Sequence, residues 1–201
     1  KGSAFTVIDF SQIKSIIIPE GDVSFITRGA EILWEKRLYK KELEYIESTG
    51  TQYIDTGFKP NENSKMYLDF YPAVKQSRCF AGCRNGDSAG FFTINSGKNH
   101  TEQYGALGQS RNVVLGSHTV GRHTVSIEKG VFIYDGVETE VTASKIGTLN
   151  AKYTAYLFAC NTSGPILQSS CRIYSCMLWD NGMIANDFIP VLDWNDVPCM
   201  Y

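Results

Sequence analysis

Charge is the first thing this sequence lacks in any concentrated form. Nineteen lysines and arginines against twenty-one aspartates and glutamates leave a net charge of −2 over 201 residues, with no long run of one sign. Such a balance argues against nucleic acid and against an anionic membrane surface as partners, since both call for a basic patch. No apolar stretch approaches the roughly 20 residues of a membrane-spanning helix, so no membrane insertion is expected. Histidine is scarce, at three residues, and His100, His118 and His123 suggest neither a metal site nor a nucleophile's base. HExxH, the EF-hand loop, the P-loop and GxGxxG are absent, and no G-x-S-x-G nucleophile elbow is expected. Cysteine occurs six times but never as CxxC, which removes the usual zinc-knuckle spacing.

What is present is strand-forming material. The hydrophobic share is 43%, enough for a real core, and eleven Tyr, eleven Phe and three Trp make up an aromatic share of 12%. Leu43–Pro60 is the first stretch in which every local signal agrees. Tyr45, Ile46, Tyr53, Ile54 and Phe58 are strand formers, and Ser48–Thr51 and Thr56-Gly57 supply turns. Further strands follow at roughly ten-residue spacing: Met66–Tyr71, Arg78–Cys83, Gly90–Ile94, His123–Ile127, Val131–Tyr134, Val137–Val141, Ala155–Ala159, Cys171–Leu178 and Met183–Pro190. Asn85-Gly86, Asp135-Gly136 and Asp180-Asn181-Gly182 read as hairpin turns. Residues 95–121 read as a polar, glycine-rich region anchored by Tyr104, Leu107 and Val113–Leu115. This rhythm predicts an all-β sandwich or jelly roll rather than a βαβ sheet.

A smaller unit precedes it. Ile13–Ile18, Val23–Thr27 and Glu31–Trp34 form a β-meander too small to be reliably stable alone. Residues 35–42, EKRLYKKE, mark a boundary and suit either a solvated linker or a short helical turn. The expected organisation is a small N-terminal β module over 1–36 and the sandwich over 37–201. The chain opens on Lys1 rather than Met and so reads as a fragment or a processed product, with a removed signal peptide or an upstream domain as alternatives.

The cysteines are read as buried free thiols acting as small apolar residues. Cys79 and Cys83, four apart on a strand, would share a face at roughly 13 Å. Cys171 and Cys176, five apart, would point to opposite faces, with Arg172, Tyr174, Cys176 and Leu178 alternating against Ile173, Ser175 and Met177. A cross-strand disulfide from Cys160 or Cys171 to Cys79 or Cys83 is the alternative.

Several of these stretches also resemble a known group. LEYIESTGTQYIDTGFKPN at 43–61 is similar to the opening, and CRIYSCMLWDNGMIANDFIPVLDWNDVPCMY at 171–201 to the closing segment, of domains found in prophage and phage-tail-associated proteins of gut bacteria. GRHTVSIEKGVFIYDGV at 121–137 resembles the paired central strands of concanavalin A-like (laminin-G-like) domains. IKSIIIPEGDVSFITRGAEILW at 13–34 looks like the short β module that precedes them. The resemblance implies two antiparallel sheets, first and last strands paired near each other, and a concave face available for binding. It implies a phage particle or an extracellular, bacterial cell-surface location, and carries over no catalytic residues.

On that fold the enzyme to test for is a glycoside hydrolase, which needs two convergent carboxylates. No E-x-D-x-x-E string occurs, and Glu138-Thr139-Glu140 reads as a solvated edge, so a non-enzymatic domain is expected. No cofactor is expected. Calcium could be sought at Asp87 or Asp180, both of which read first as turn residues. Asn99-His100-Thr101 and Asn161-Thr162-Ser163 fit the N-glycosylation pattern. The expected partner is a glycan or cell-surface polysaccharide, with other phage or surface proteins as further partners. The ligand-binding candidates are Arg84, Asn85, Asp87, Asn99, Tyr104 and Arg111, with His100, Gln109 and Asn112 beside them. Trp179 and Trp194 could stack on a sugar, but read first as core or inter-sheet packing.

Overall fold

The computed structural model describes residues 25–28, 31–35, 38–86, 90–96, 101–104, 113–117, 120–129, 131–140 and 149–201. The chain divides into two compact units, Lys1–Leu38 and Tyr39–Tyr201. The first shows an antiparallel hairpin, β1 (Phe25–Arg28) and β2 (Glu31–Glu35), with Arg28 opposite Glu31 across the expected turn. The strand expected at Ile13–Ile18 lies outside the described residues.

The second unit begins with β3 (Lys41–Glu42), β4 (Ile46–Thr49), β5 (Ile54–Asp55), β6 (Lys65–Pro72), β7 (Cys79–Cys83), β8 (Phe92–Ser96) and β9 (Thr101–Tyr104). Next come β10 (Val113–Ser117), β11 (His123–Glu128), β12 (Val131–Tyr134), β13 (Val137–Glu140), β14 (Tyr156–Leu157) and β15 (Cys160–Asn161). It closes with β16 (Pro165–Ile166), β17 (Ser170–Asp180), β18 (Met183–Phe188), β19 (Pro190–Leu192) and β20 (Pro198–Met200). The described residues contain no helix.

Two large sheets result. One has the order β13-β12-β11-β6-β17-β18, with β4 also beside β17. The other runs β10-β9-β8-β7-β14-β5, with β15 and β16 attached. Their apolar faces share one core. Met66, Leu68, Phe70, Val125, Ile127, Phe132, Ile173 and Leu178 from the first meet Phe80, Phe92, Ile94 and Leu157 from the second. The Phe70 and Phe80 rings lie 4.6 Å apart across that boundary. The protein is therefore an all-β sandwich. As expected, the opening segment lies beside the closing one, with Ile46 opposite Ile173 and Thr49 opposite Ser170.

Local sequence explains most of the pairings. β6, KMYLDFYP, alternates strictly, burying Met66, Leu68, Phe70 and Pro72 and turning Lys65, Tyr67, Asp69 and Tyr71 outward. Tyr134 faces Val137 and Asp180 faces Met183, so Asp135-Gly136 and Asn181-Gly182 are two-residue turns. Their φ values (45° and 80°; 49° and 82°) are the positive pair that a type I′ hairpin requires.

Four expectations need correction. Asn85-Gly86 is not a two-residue turn: Cys83 pairs with Phe92, so eight residues separate the paired strand ends. The region 95–121 is not merely polar connection, because β9 and β10 extend the second sheet there. Residues 35–42 are not all linker, because Lys41–Glu42 pairs with Val191–Leu192.

The fourth concerns β17. A bulge lies between Ile173 and Ser175 in its pairing with β6. The extra residue resets the parity, so Cys171 and Ile173 face the core before it and Cys176 and Leu178 after it. Both cysteines point inward, not to opposite faces. All six cysteines are free thiols, and Cys79, Cys83, Cys160, Cys171 and Cys176 are buried.

The end of the second unit clasps its own beginning. β19 lies between β20 and β3, and the Lys40 amide donates to the Leu192 carbonyl at 2.9 Å. The turn after β19 is organised by Asp193, whose Oδ1 accepts from the Asn195 and Val197 amides, both at 2.8 Å. The Val197 amide, and secondarily that of Asn195, hold the Asp193 carboxyl below the ordinary carboxylate value.

Two outcomes follow. A thiol reagent such as Ellman's should modify only the half-buried Cys199 in the native protein, and the other five only on unfolding; rapid native labelling of several thiols would contradict the buried assignment. A depressed carboxylate stabilises the fold above its unfolded pKa, and that contribution is lost as pH falls through the folded value. Acidification below the usual carboxylate range should therefore lower the hydrogen-exchange protection factors of the Val197 and Asn195 amides, taken relative to the intrinsic rate at each pH, and Asp193→Asn should remove that pH dependence.

Candidate functional site

The polar side of β6 carries two tyrosines, Tyr67 and Tyr71, with Asp69 between them. The bulge in β17 enlarges this set. With Ile173 opposite Phe70 and Ser175 opposite Asp69, Tyr174 is the extra residue and joins Arg172 on the outward face. Tyr45, just before β4, and Glu47 within it complete one side, and Arg122, just before β11, the other.

These side chains interlock. The Arg122 guanidinium lies over the Tyr174 ring at 3.7 Å from its centroid. Arg172 lies over Tyr45 at 4.5 Å and reaches Tyr71 at 5.8 Å. Tyr45 and Tyr174 meet edge to face, 5.7 Å apart. Each guanidinium is pinned by a carboxylate: Arg122 Nε and Nη2 donate to the two oxygens of Asp69 at 2.9 and 2.8 Å, and Arg172 Nε donates to Glu47 at 3.2 Å. Those hydrogen bonds are the main reason both arginines are held above the ordinary guanidinium value. Burial, with Asp69 adding to it, raises the Tyr67 hydroxyl. At the far end of β6, Lys65 sits 5.3 Å over the Trp179 ring and 3.7 Å from Glu128. Flat rings and flat guanidinium groups thus tile one outer surface of the sandwich.

The residues anticipated from sequence fare differently. Asp87, Asn99 and Arg111, with His100, Gln109 and Asn112, lie outside the described residues. Tyr104 is in β9, opposite Val113 and Ile94. Arg84 and Asn85 directly follow β7. The Arg84 amide donates to the Asn161 carbonyl at 3.0 Å, and its guanidinium lies 5.9 Å from the Phe91 ring centroid. Asn85 Nδ2 donates to the Asn150 carbonyl and its Oδ1 accepts from the Lys152 amide, both at 2.7 Å. Asn85 also fills the space that a side chain at Gly90 would need.

Trp194 is 61% exposed rather than core, whereas Trp179 is half-buried. Asp180 accepts from Asn61 at 2.5 Å and Asn181 at 2.8 Å. Asn161 is buried, with Nδ2 on the Thr154 carbonyl and Oδ1 accepting from the Ser163 and Gly164 amides, so it is not placed to carry a glycan. His123 is buried against Tyr134, its Nδ1 2.8 Å from both Asp135 and the Tyr134 hydroxyl. Glu138 is exposed on β13, which ends its sheet.

One string escaped the sequence reading. Gly86-Asp87-Ser88-Ala89-Gly90 has G-x-S-x-G spacing, but a nucleophile elbow needs a strand followed by a helix. Here the flanks are β7 and β8, both strands.

A scan of known protein-family models finds none that matches this chain, and a search of curated proteins finds no significant match.

The Arg122–Asp69 pair is bidentate, with Asp69 mostly shielded and Arg122 half-exposed. A double-mutant cycle on Arg122→Ala and Asp69→Ala should give a coupling of about 0.5–1 kcal/mol, shrinking as salt is added. A zero coupling at low salt would show that the pair does not hold the face together.

Proposed function

We propose that this chain is a non-enzymatic glycan-recognition domain on a concanavalin A-like jelly roll, belonging to a phage-tail or bacterial surface protein. The tyrosine–arginine face of the seven-stranded sheet carries the reading. Sugar rings present apolar C–H faces that pack on aromatic rings, and hydroxyls that accept from fixed N–H donors. Tyr45, Tyr71 and Tyr174 supply rings, while Arg122 and Arg172 supply donors held in place by Asp69 and Glu47. A rigid scaffold lowers the entropy lost on binding. Both carboxylates are committed to guanidinium groups, which suits a platform better than a general acid facing a nucleophile.

A structural or protein-binding role within a phage particle is the second reading. It is favoured by β18, an edge strand with Met183 and Ile184 exposed at 75% and 58%.

A glycan array followed by affinity electrophoresis separates the two. Glycan binding should appear for the whole chain and fall at least about tenfold, some 1.4 kcal/mol, in Tyr174→Ala and in Arg122→Ala. Binding unaffected by both variants would move the site elsewhere, and no binding to any glycan would favour the structural role.

A further inference from the structure

From the same face we infer the class of ligand: an uncharged glycan, not a uronate-, sialate- or phosphate-bearing one. This rests on the glycan reading above and narrows it. A surface with three cations invites an anionic partner at first sight. Yet each cation already faces a carboxylate: Arg122 with Asp69, Arg172 with Glu47, and Lys65 with Glu128. Each of the three cations is matched by a carboxylate, and Glu44 adds a further negative charge near Arg122, so no uncompensated cation is left to draw an anion in. An anionic group approaching Arg122 would have to displace a bidentate carboxylate or sit beside it, and like charges at that spacing repel.

What the pairs leave unused suits hydroxyl groups. Arg122 spends Nε and Nη2 on Asp69, and Arg172 spends Nε on Glu47. Their remaining N–H groups keep a fixed direction while their charge is compensated. The rings beneath are flat and uncharged, as phenols are near neutral pH. Neutral hydroxyls therefore find oriented donors, and apolar C–H faces find the parts of Tyr45, Tyr71 and Tyr174 that the guanidinium groups leave exposed, without an ion pair being broken. The absence of an uncompensated cation also predicts an unusual property for an arginine-bearing site: affinity for a neutral glycan that hardly responds to salt.

The test uses the whole chain against uncharged polysaccharides (a glucan, a galactan and a mannan) and against uronate, sialylated and phosphorylated glycans. Each is measured at about 50 mM and about 500 mM NaCl, spanning a large change in screening length. Binding to at least one neutral polymer, changing less than about twofold with salt, is expected. Binding confined to acidic glycans, or weakened strongly by salt, overturns the inference while leaving glycan recognition intact. No binding to either class overturns glycan recognition itself.

A second arm frees the charge. The double variant Asp69→Asn, Glu47→Gln keeps the side-chain shapes and uncovers two guanidinium charges. It should gain salt-sensitive binding to acidic glycans, and circular dichroism should show the same β signal as the parent. A folded double variant that gains no such binding would mean that the ion pairs are not what excludes anions, and the inference would fall.

Discussion

The pairing of β17 with β6 is the constraint on which the seven-stranded sheet depends. It spans almost the whole of both strands, from Cys171 opposite Pro72 to Trp179 opposite Lys65. On the other flank of β17, β4 takes the first half and β18 the second. One long strand thus fixes the positions of three others. A side-chain period of two would ordinarily commit each residue of such a strand to one face. The single extra residue at Tyr174 relaxes that commitment. It lets Cys171, Ile173, Cys176 and Leu178 all reach the core, and sends a tyrosine outward at the point where Arg122 and Tyr45 meet it.

The outer face is built from the leftovers of core formation. Once Met66, Leu68 and Phe70 turn inward, Tyr67, Asp69 and Tyr71 must turn outward, because a strand allows nothing else. Exposed tyrosines and arginines are flexible when isolated. Here each arginine is held from two sides, by a ring beneath and a carboxylate beside it, so rotamer freedom is lost on folding rather than on binding. Asp69 shows the economy of the arrangement: the strand that buries Phe70 also positions the carboxylate that orients Arg122.

Much of the fold could be read in the residues. The all-β class, the turns at Asp135-Gly136 and Asp180-Gly182, and the meeting of the opening and closing segments all follow from alternation and turn chemistry. The failures have identifiable causes. Asn85-Gly86 has the chemistry of a tight turn, but the Asn85 amide is spent on Asn150 and Lys152, a long-range contact that no local rule contains. The β17 bulge was visible in principle: apolar residues at 171 and 173, then at 176 and 178, are out of phase with each other. Read as one unbroken alternation, the segment gave Cys176 the wrong side. The site was harder to see. Hydrogen-bonding residues are densest in sequence over 84–112, which is where the sequence places its candidates. The tyrosine–arginine face draws on residues 45, 47, 67, 69, 71, 122, 172 and 174, which only strand pairing brings together. The tyrosine–aspartate–tyrosine side of MYLDFY was its one local sign.

The clasp formed by β3, β19 and β20 has a mechanical consequence. β3 and β20 each run antiparallel to β19 and therefore parallel to each other. Tension applied between Tyr39 and Tyr201 pulls β3 towards its start and β20 towards its end, in opposite senses along one axis. The hydrogen bonds on both sides of Pro190–Leu192 then bear load together, in shear, instead of opening one after another. The short strand in the middle is the pin of that clasp.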